Sequence, residues 1–95
     1  MSDATILVVD DEKNTREALT KILREDGYDV IAAADGYQAI DLVTREMPDL
    51  ILADLRMPGM DGIELLSRTR VKGLDIPFVM MTAYGTVETA VDAMK

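Results

Sequence analysis

Four short apolar runs, each followed by a segment with helical spacing of its apolar residues, leave this chain few choices of fold. Ile6 to Val9 is an unbroken, β-branched-rich run, the mark of a strand covered on both faces. Asn14-Thr15-Arg16-Glu17 then reads as a helix start, with Asn14 capping and Glu17 reaching back. Ala18, Leu19, Ile22 and Leu23 share one face of that helix, and Gly27 ends it. Asp29 to Ala33 gives a second strand, whose opening charge points to a sheet edge. Asp35-Gly36-Tyr37-Gln38 opens a second helix through Ala39, Ile40 and Val43, stopped by Pro48. Leu50 to Ala53 is a third strand ending at Asp54, and Asp61-Gly62-Ile63-Glu64 opens a third helix that runs to Gly73. Phe78 to Met81, behind Pro77, is the fourth strand. Gly85 and Thr86 lead into a fourth helix carrying Val87, Ala90, Val91 and Met94.

Strands joined through helices run parallel, because each crossover returns the chain to the same end of the sheet. The expectation is therefore an α/β fold: one open parallel sheet with helices on both faces. Ninety-five residues leave room for a single domain, residues 1–95. Lys95 is reached in mid-helix with no Gly, Asn or Pro to finish it, and the apolar fourth strand is left as a sheet edge. The domain is expected to be incomplete at its C-terminus.

Composition then removes whole classes of chemistry. There is no Cys and no His, so disulfides, thiolate or imidazole metal sites and Ser-His-Asp catalysis are excluded. With a net charge of −8 and no basic run, direct nucleic-acid contact is not expected. The start MSDATILVVDDE lacks the features of a signal peptide, and no run reaches membrane-spanning length, so a soluble cytoplasmic protein is expected. What remains are carboxylates, hydroxyls, backbone amides and a bound metal.

Ligands of open parallel sheets sit outside the carboxyl ends of the strands. Asp10 and Asp11 follow strand one, Asp54 ends strand three and Thr82 follows strand four, so all four belong to one rim. If strands one and three are neighbours, three carboxylates converge. Two carboxylates about 4 Å apart at an effective dielectric near 20 repel by roughly 4 kcal/mol. A hard divalent cation with oxygen ligands relieves that repulsion, and Mg2+ suits a few carboxylates plus phosphate oxygens. Asp54, fixed at the end of a buried strand, is the candidate nucleophile toward phosphorus, and Thr82 and the amides after Asp54 are candidate donors to the phosphoryl group. Asp10 and Asp11 alone would equally suit a solvated acidic turn at a helix start. Asp35 and Asp61 are assigned to capping, Glu12 to the solvated surroundings of the metal, and Met57, Met60, Met80 and Met81 to packing.

LVVDDE, DLRMPGMDG and MMTAYG, in this order and spacing, resemble the receiver domains of bacterial two-component response regulators. The resemblance covers the whole chain. It implies a flavodoxin-like sheet of order 2-1-3-4-5 and phosphorylation of Asp54 by a histidine kinase. It also implies Mg2+ held by Asp10, Asp11, Asp54 and the Arg56 carbonyl, with Thr82 moving to bond the phosphoryl group. Arg56 and Tyr84, beside the pocket, are candidates to tune phosphate lifetime. TAYGTVETAVDAMK is most similar to receivers attached to ATP-driven transcription activators of the nitrogen-regulator class, which implies a C-terminal output domain and leaves a homodimer open. Family receivers continue into a fifth strand, ending in a lysine that pairs with the phosphoryl group, and a fifth helix; neither is present in the 95 residues, and Lys72 and Lys95 are not substitutes.

Two other readings stand beside the phosphorylation switch. An aspartate-nucleophile phosphatase or phosphomutase would usually carry a second acid two residues after the nucleophile, where this chain has Arg56. A receiver-like interaction module that takes no phosphate fits the missing lysine.

Overall fold

The computed structural model describes residues 4–81. Strands β1 (Thr5–Val9), β2 (Asp29–Ala33), β3 (Leu50–Asp54) and β4 (Phe78–Met81) alternate with helices α1 (Lys13–Glu25), α2 (Gly36–Glu46) and α3 (Gly62–Val71). The strands form one parallel sheet in the order β2-β1-β3-β4, as the resemblance implied for these four. Edge and centre follow from side chains: β1 is buried from Ile6 to Val9, whereas β2 opens with an exposed Asp29 at the rim of the sheet. The fourth helix of the sequence reading, with Thr82 and Tyr84, lies outside the described residues.

Alternation along each strand sends side chains to two faces. Leu7, Val9, Ile51, Ala53 and Phe78 point to the face carrying α2 and α3, where Ala39, Val43, Leu65 and Leu66 complete the main core. Ile6, Val8 and Val30 point the other way, against Leu19 and Leu23 of α1. Burying such side chains contributes about 1.5–3 kcal/mol each, so the α2–α3 face holds most of the stability. Met57, Met60 and Met80 are buried packing residues, as expected.

α1 departs from its sequence reading in two ways. Its cap is Glu12, not Asn14: the Glu12 carboxylate accepts the Asn14 N–H at 3.1 Å, and the helix starts at Lys13. The cause lies upstream, where Asp10 Oδ1 accepts the Glu12 N–H at 2.8 Å and turns the chain two residues early. Glu17 does not reach back but faces Lys13 one turn away. The second departure concerns the apolar face: Leu19 and Leu23 meet the sheet, while Ala18 is exposed and Ile22 is 56% exposed. α1 has no fully buried residue, and it is the one described helix on that face of the sheet.

α2 and α3 follow the sequence closely. Asp35 Oδ1 accepts from the Gln38 N–H and Asp61 Oδ1 from the Glu64 N–H, each at 2.8 Å. Gln38 reaches back to the Ala34 N–H at 2.9 Å, while Glu64 pairs instead with Arg68. Gly27 ends α1 with φ at +98°, a left-handed conformation that side chains resist. Asp35→Ala is expected to lower the unfolding free energy by about 1 kcal/mol, and Asn14→Ala to leave it within about 0.5 kcal/mol. Urea denaturation measures both, and an Asn14→Ala loss equal to that of Asp35→Ala would return the first cap to Asn14.

Candidate metal centre

The pairing of β1 with β3 builds the site. Val9 stands opposite Ala53 in that ladder, and both are fully buried, so the chain leaves the two strands at one level, as Asp10 and Asp54. Asp10 continues the sheet for one more bond, its N–H donating to the Ala33 carbonyl at 3.2 Å. On the other side Asp54 lies opposite Met81, and the Leu55 N–H donates to the Met81 carbonyl at 2.7 Å. The carboxylates of Asp10, Asp11 and Asp54 each bring an oxygen within 4.8 Å of the others. The convergence expected if strands one and three were neighbours is therefore present.

The three acids sit in different surroundings. Asp10 is 3% exposed, Asp54 half-buried and Asp11 exposed. Burial pushes the Asp10 carboxyl above the ordinary carboxylate range; the Glu12 N–H bond pulls it down, and the charges of Asp54, Asp11 and Glu12 add to the rise. At the 4.8 Å limit, Asp10 and Asp54 repel by about 3 kcal/mol at an effective dielectric of about 20. The strands hold that repulsion in place, since neither backbone can retreat without breaking buried ladder bonds. An all-oxygen, all-carboxylate set of this kind fits a hard divalent cation and offers nothing soft.

The supports of the cluster are partly local and partly distant. Arg56 donates its N–H to Asp54 Oδ1 at 3.2 Å, while its side chain is exposed. Leu55, Arg56, Met57, Pro58 and Asp61 line a shallow concavity in the loop after Asp54. Arg16, which the sequence reading passed over, reaches back from α1 to donate Nη1 to the Asp10 carbonyl at 2.8 Å. No local motif announces that bond. Glu12 caps α1 and is not among the three converging acids. Asp35 and Asp61 are caps, as expected, and Lys72 caps the end of α3.

Comparison with known proteins places this arrangement. The family model for the response regulator receiver domain matches residues 6–95. Sporulation initiation phosphotransferase F of Bacillus subtilis is 46% identical over 88 residues, covering 93% of this chain and 71% of the relative. The transcriptional regulatory protein ZraR of Klebsiella oxytoca is 46% identical over 90 residues, covering 95% of this chain; the chain spans 20% of that longer protein. Among solved structures, the response regulator protein TrrA of Thermotoga maritima in complex with Mg2+-BeF superposes with a TM-score of 0.81 at 39% identity, over 90% of this chain and 72% of that one. With the sheet order, the acid cluster and these matches in agreement, the chain belongs to the response regulator receiver domain family.

Proposed function

We propose that residues 1–95 form a receiver domain that works as a phosphoacceptor switch, with Asp54 as the residue phosphorylated by a histidine kinase. The observation that carries this reading is the convergence of Asp10, Asp11 and Asp54 at the carboxyl rim of the sheet. Asp54 is fixed by β3 yet half-exposed, so its carboxylate is both aimed and reachable. In the transfer, an Asp54 oxygen forms a bond to phosphorus while the phosphorus–nitrogen bond of the donor histidine breaks, and the leaving imidazole takes up a proton. Mg2+ held by Asp10, Asp11, Asp54 and the Arg56 carbonyl would supply charge neutralisation for the crowded oxygens. The buried Asp10 keeps its place through the Glu12 N–H and the β2 ladder.

The relatives support the same reading. The Thermotoga protein is described with Mg2+-BeF bound, and the Bacillus relative is named a phosphotransferase. Arg56 stands where an aspartate phosphatase would place its second acid, which favours a switch over turnover of a phosphate ester. Thr82, following Met81 in the chain, is assigned to sensing the phosphoryl group, and Arg56 and Tyr84 to tuning its lifetime. A phosphoryl group adds about 1.5 to 2 negative charges, enough to bias a two-state element. The family role is consistent with a cytoplasmic setting, and the likeness to the transcriptional regulatory protein ZraR supports a transcriptional output domain as the attachment. Among the described residues, no helix is long and apolar enough to cross a membrane.

Acetyl phosphate with Mg2+ is expected to add the mass of one phosphoryl group to the chain, and Asp54→Asn to abolish the adduct. A folded chain that gains no adduct would leave the interaction-module reading in its place. Asp10 adds a test by pH. Its folded pKa is raised, so ionising it weakens the fold. The loss begins as pH rises past the unfolded value of about 4 and is complete above the folded one. Without divalent cations at neutral pH, Asp10→Asn is therefore expected to raise the urea midpoint. The same substitution should weaken Mg2+ binding by more than about tenfold, the loss typical of even an outer partner of a metal. In the wild type, Mg2+ affinity is expected to fall as pH drops through the raised Asp10 pKa, which calorimetry at several pH values would measure.

A further inference from the structure

The loop between Asp54 and α3 has to hold the Arg56 backbone in register with the acids, yet its middle is anchored from outside. Met60 is 1% exposed, although it sits in a loop. Its side chain fills the space in front of Gly36, the first residue of α2. A Cβ built on Gly36 would stand 2.8 Å from Met60 Cβ and Cγ and 2.6 Å from its sulfur. The Cβ–Cβ clash cannot be relieved by rotating the Met60 side chain, because Met60 Cβ is fixed to the loop backbone. One residue on, the same pair of segments meets again: the Tyr37 ring lies 3.7 Å from where a Gly59 Cβ would be. Gly59 itself has φ at +78°, the left-handed turn that brings Met60 inward.

Three residues before Gly36, the Ala33 carbonyl accepts the Asp10 N–H. The short junction from Ala33 to Gly36 therefore touches both halves of the acid cluster, Asp10 through a ladder bond and the acceptor loop through Met60. From this we infer that Gly36 and Met60 are a positioning pair, which sets the spacing between the Asp10 side of the site and the loop carrying Asp54 and Arg56. Neither residue is among the converging acids; the pair acts through the loop. Its role rests on the phosphoacceptor reading above.

The test compares Gly36→Ala with Gly73→Ala. Gly73 has φ at +77° with nothing within 4 Å of an added Cβ, so its substitution strains the backbone far from the acids. Both variants should lose stability in urea. At a temperature where both are folded, Gly36→Ala is expected to bind Mg2+ about tenfold more weakly. It should also be labelled more slowly by acetyl phosphate, while Gly73→Ala stays within about twofold of wild type in both. Met60→Ala approaches the pair from the other side, emptying the contact without a clash, and should weaken Mg2+ binding in the same direction; it carries the test if Gly36→Ala does not fold. Wild-type affinity in Gly36→Ala or, failing that, in Met60→Ala overturns the inference, as does equal loss in Gly73→Ala. A wild-type chain that takes up neither Mg2+ nor a phosphoryl group overturns the phosphoacceptor reading, and this inference with it.

Discussion

Repulsion between carboxylates that the backbone forbids to separate is the constraint around which this molecule is arranged. β1 and β3 pair in parallel, ending on the fully buried Val9 and Ala53, and each releases an acid at the same level. Left to themselves, such charges would turn toward water or take up a proton; burial is the first cause that raises the Asp10 pKa, and the neighbouring carboxylates add to the rise. The fold stores their repulsion because the strands beneath are locked by the main core. A cation at the rim would release it, and occupancy of the site would then be coupled to the stability of the whole domain.

The surrounding elements can be read as answers to one problem, that of holding acids close without letting them drift. Arg16 takes the Asp10 carbonyl from α1, and the Asp10 carboxylate bends the chain into that same helix through the Glu12 N–H. Gly62, at the start of α3, has no room for a Cβ, which would stand 2.7 Å from the Asp54 carbonyl and closer still to the Met80 sulfur. The Gly62 N–H closes the loop after Asp54 on the Leu55 carbonyl at 2.9 Å. Backbone proximity of this kind leaves little room for the loop to move alone. A change at Asp54 is therefore expected to be felt by α3 and, through Met60, by α2.

Much of this was legible along the sequence, where the signals are local. Unbroken apolar runs marked the strands, and Asp35 and Asp61 announced their helices because a cap and the N–H it binds lie within one turn. The three acids could be named because strand ends in a parallel sheet share a rim. The first cap was misread as Asn14, since the turn is decided by Asp10, a residue whose own place depends on its bond to Ala33 of β2. Ile22 has helical spacing with Leu19 and Leu23 but lies off the line of contact with the sheet, which periodicity alone does not resolve. The contact of Gly36 with Met60 joins residues that only the finished topology brings together, while the bond from Arg16 to the Asp10 carbonyl spans six residues but follows no cap or turn pattern that would announce it.

The central claim is that three acids from two loops serve one ion, and Mn2+ in place of Mg2+ tests it most directly. Paramagnetic broadening of amide resonances reports distance from the bound ion residue by residue. The account predicts that substoichiometric Mn2+ broadens the amides of Asp10, Asp11 and Glu12 together with those of Asp54, Leu55 and Arg56, saturating at one site and reversed by excess Mg2+. Broadening confined to one of the two loops, or spread over the acidic surface without saturation, would contradict it.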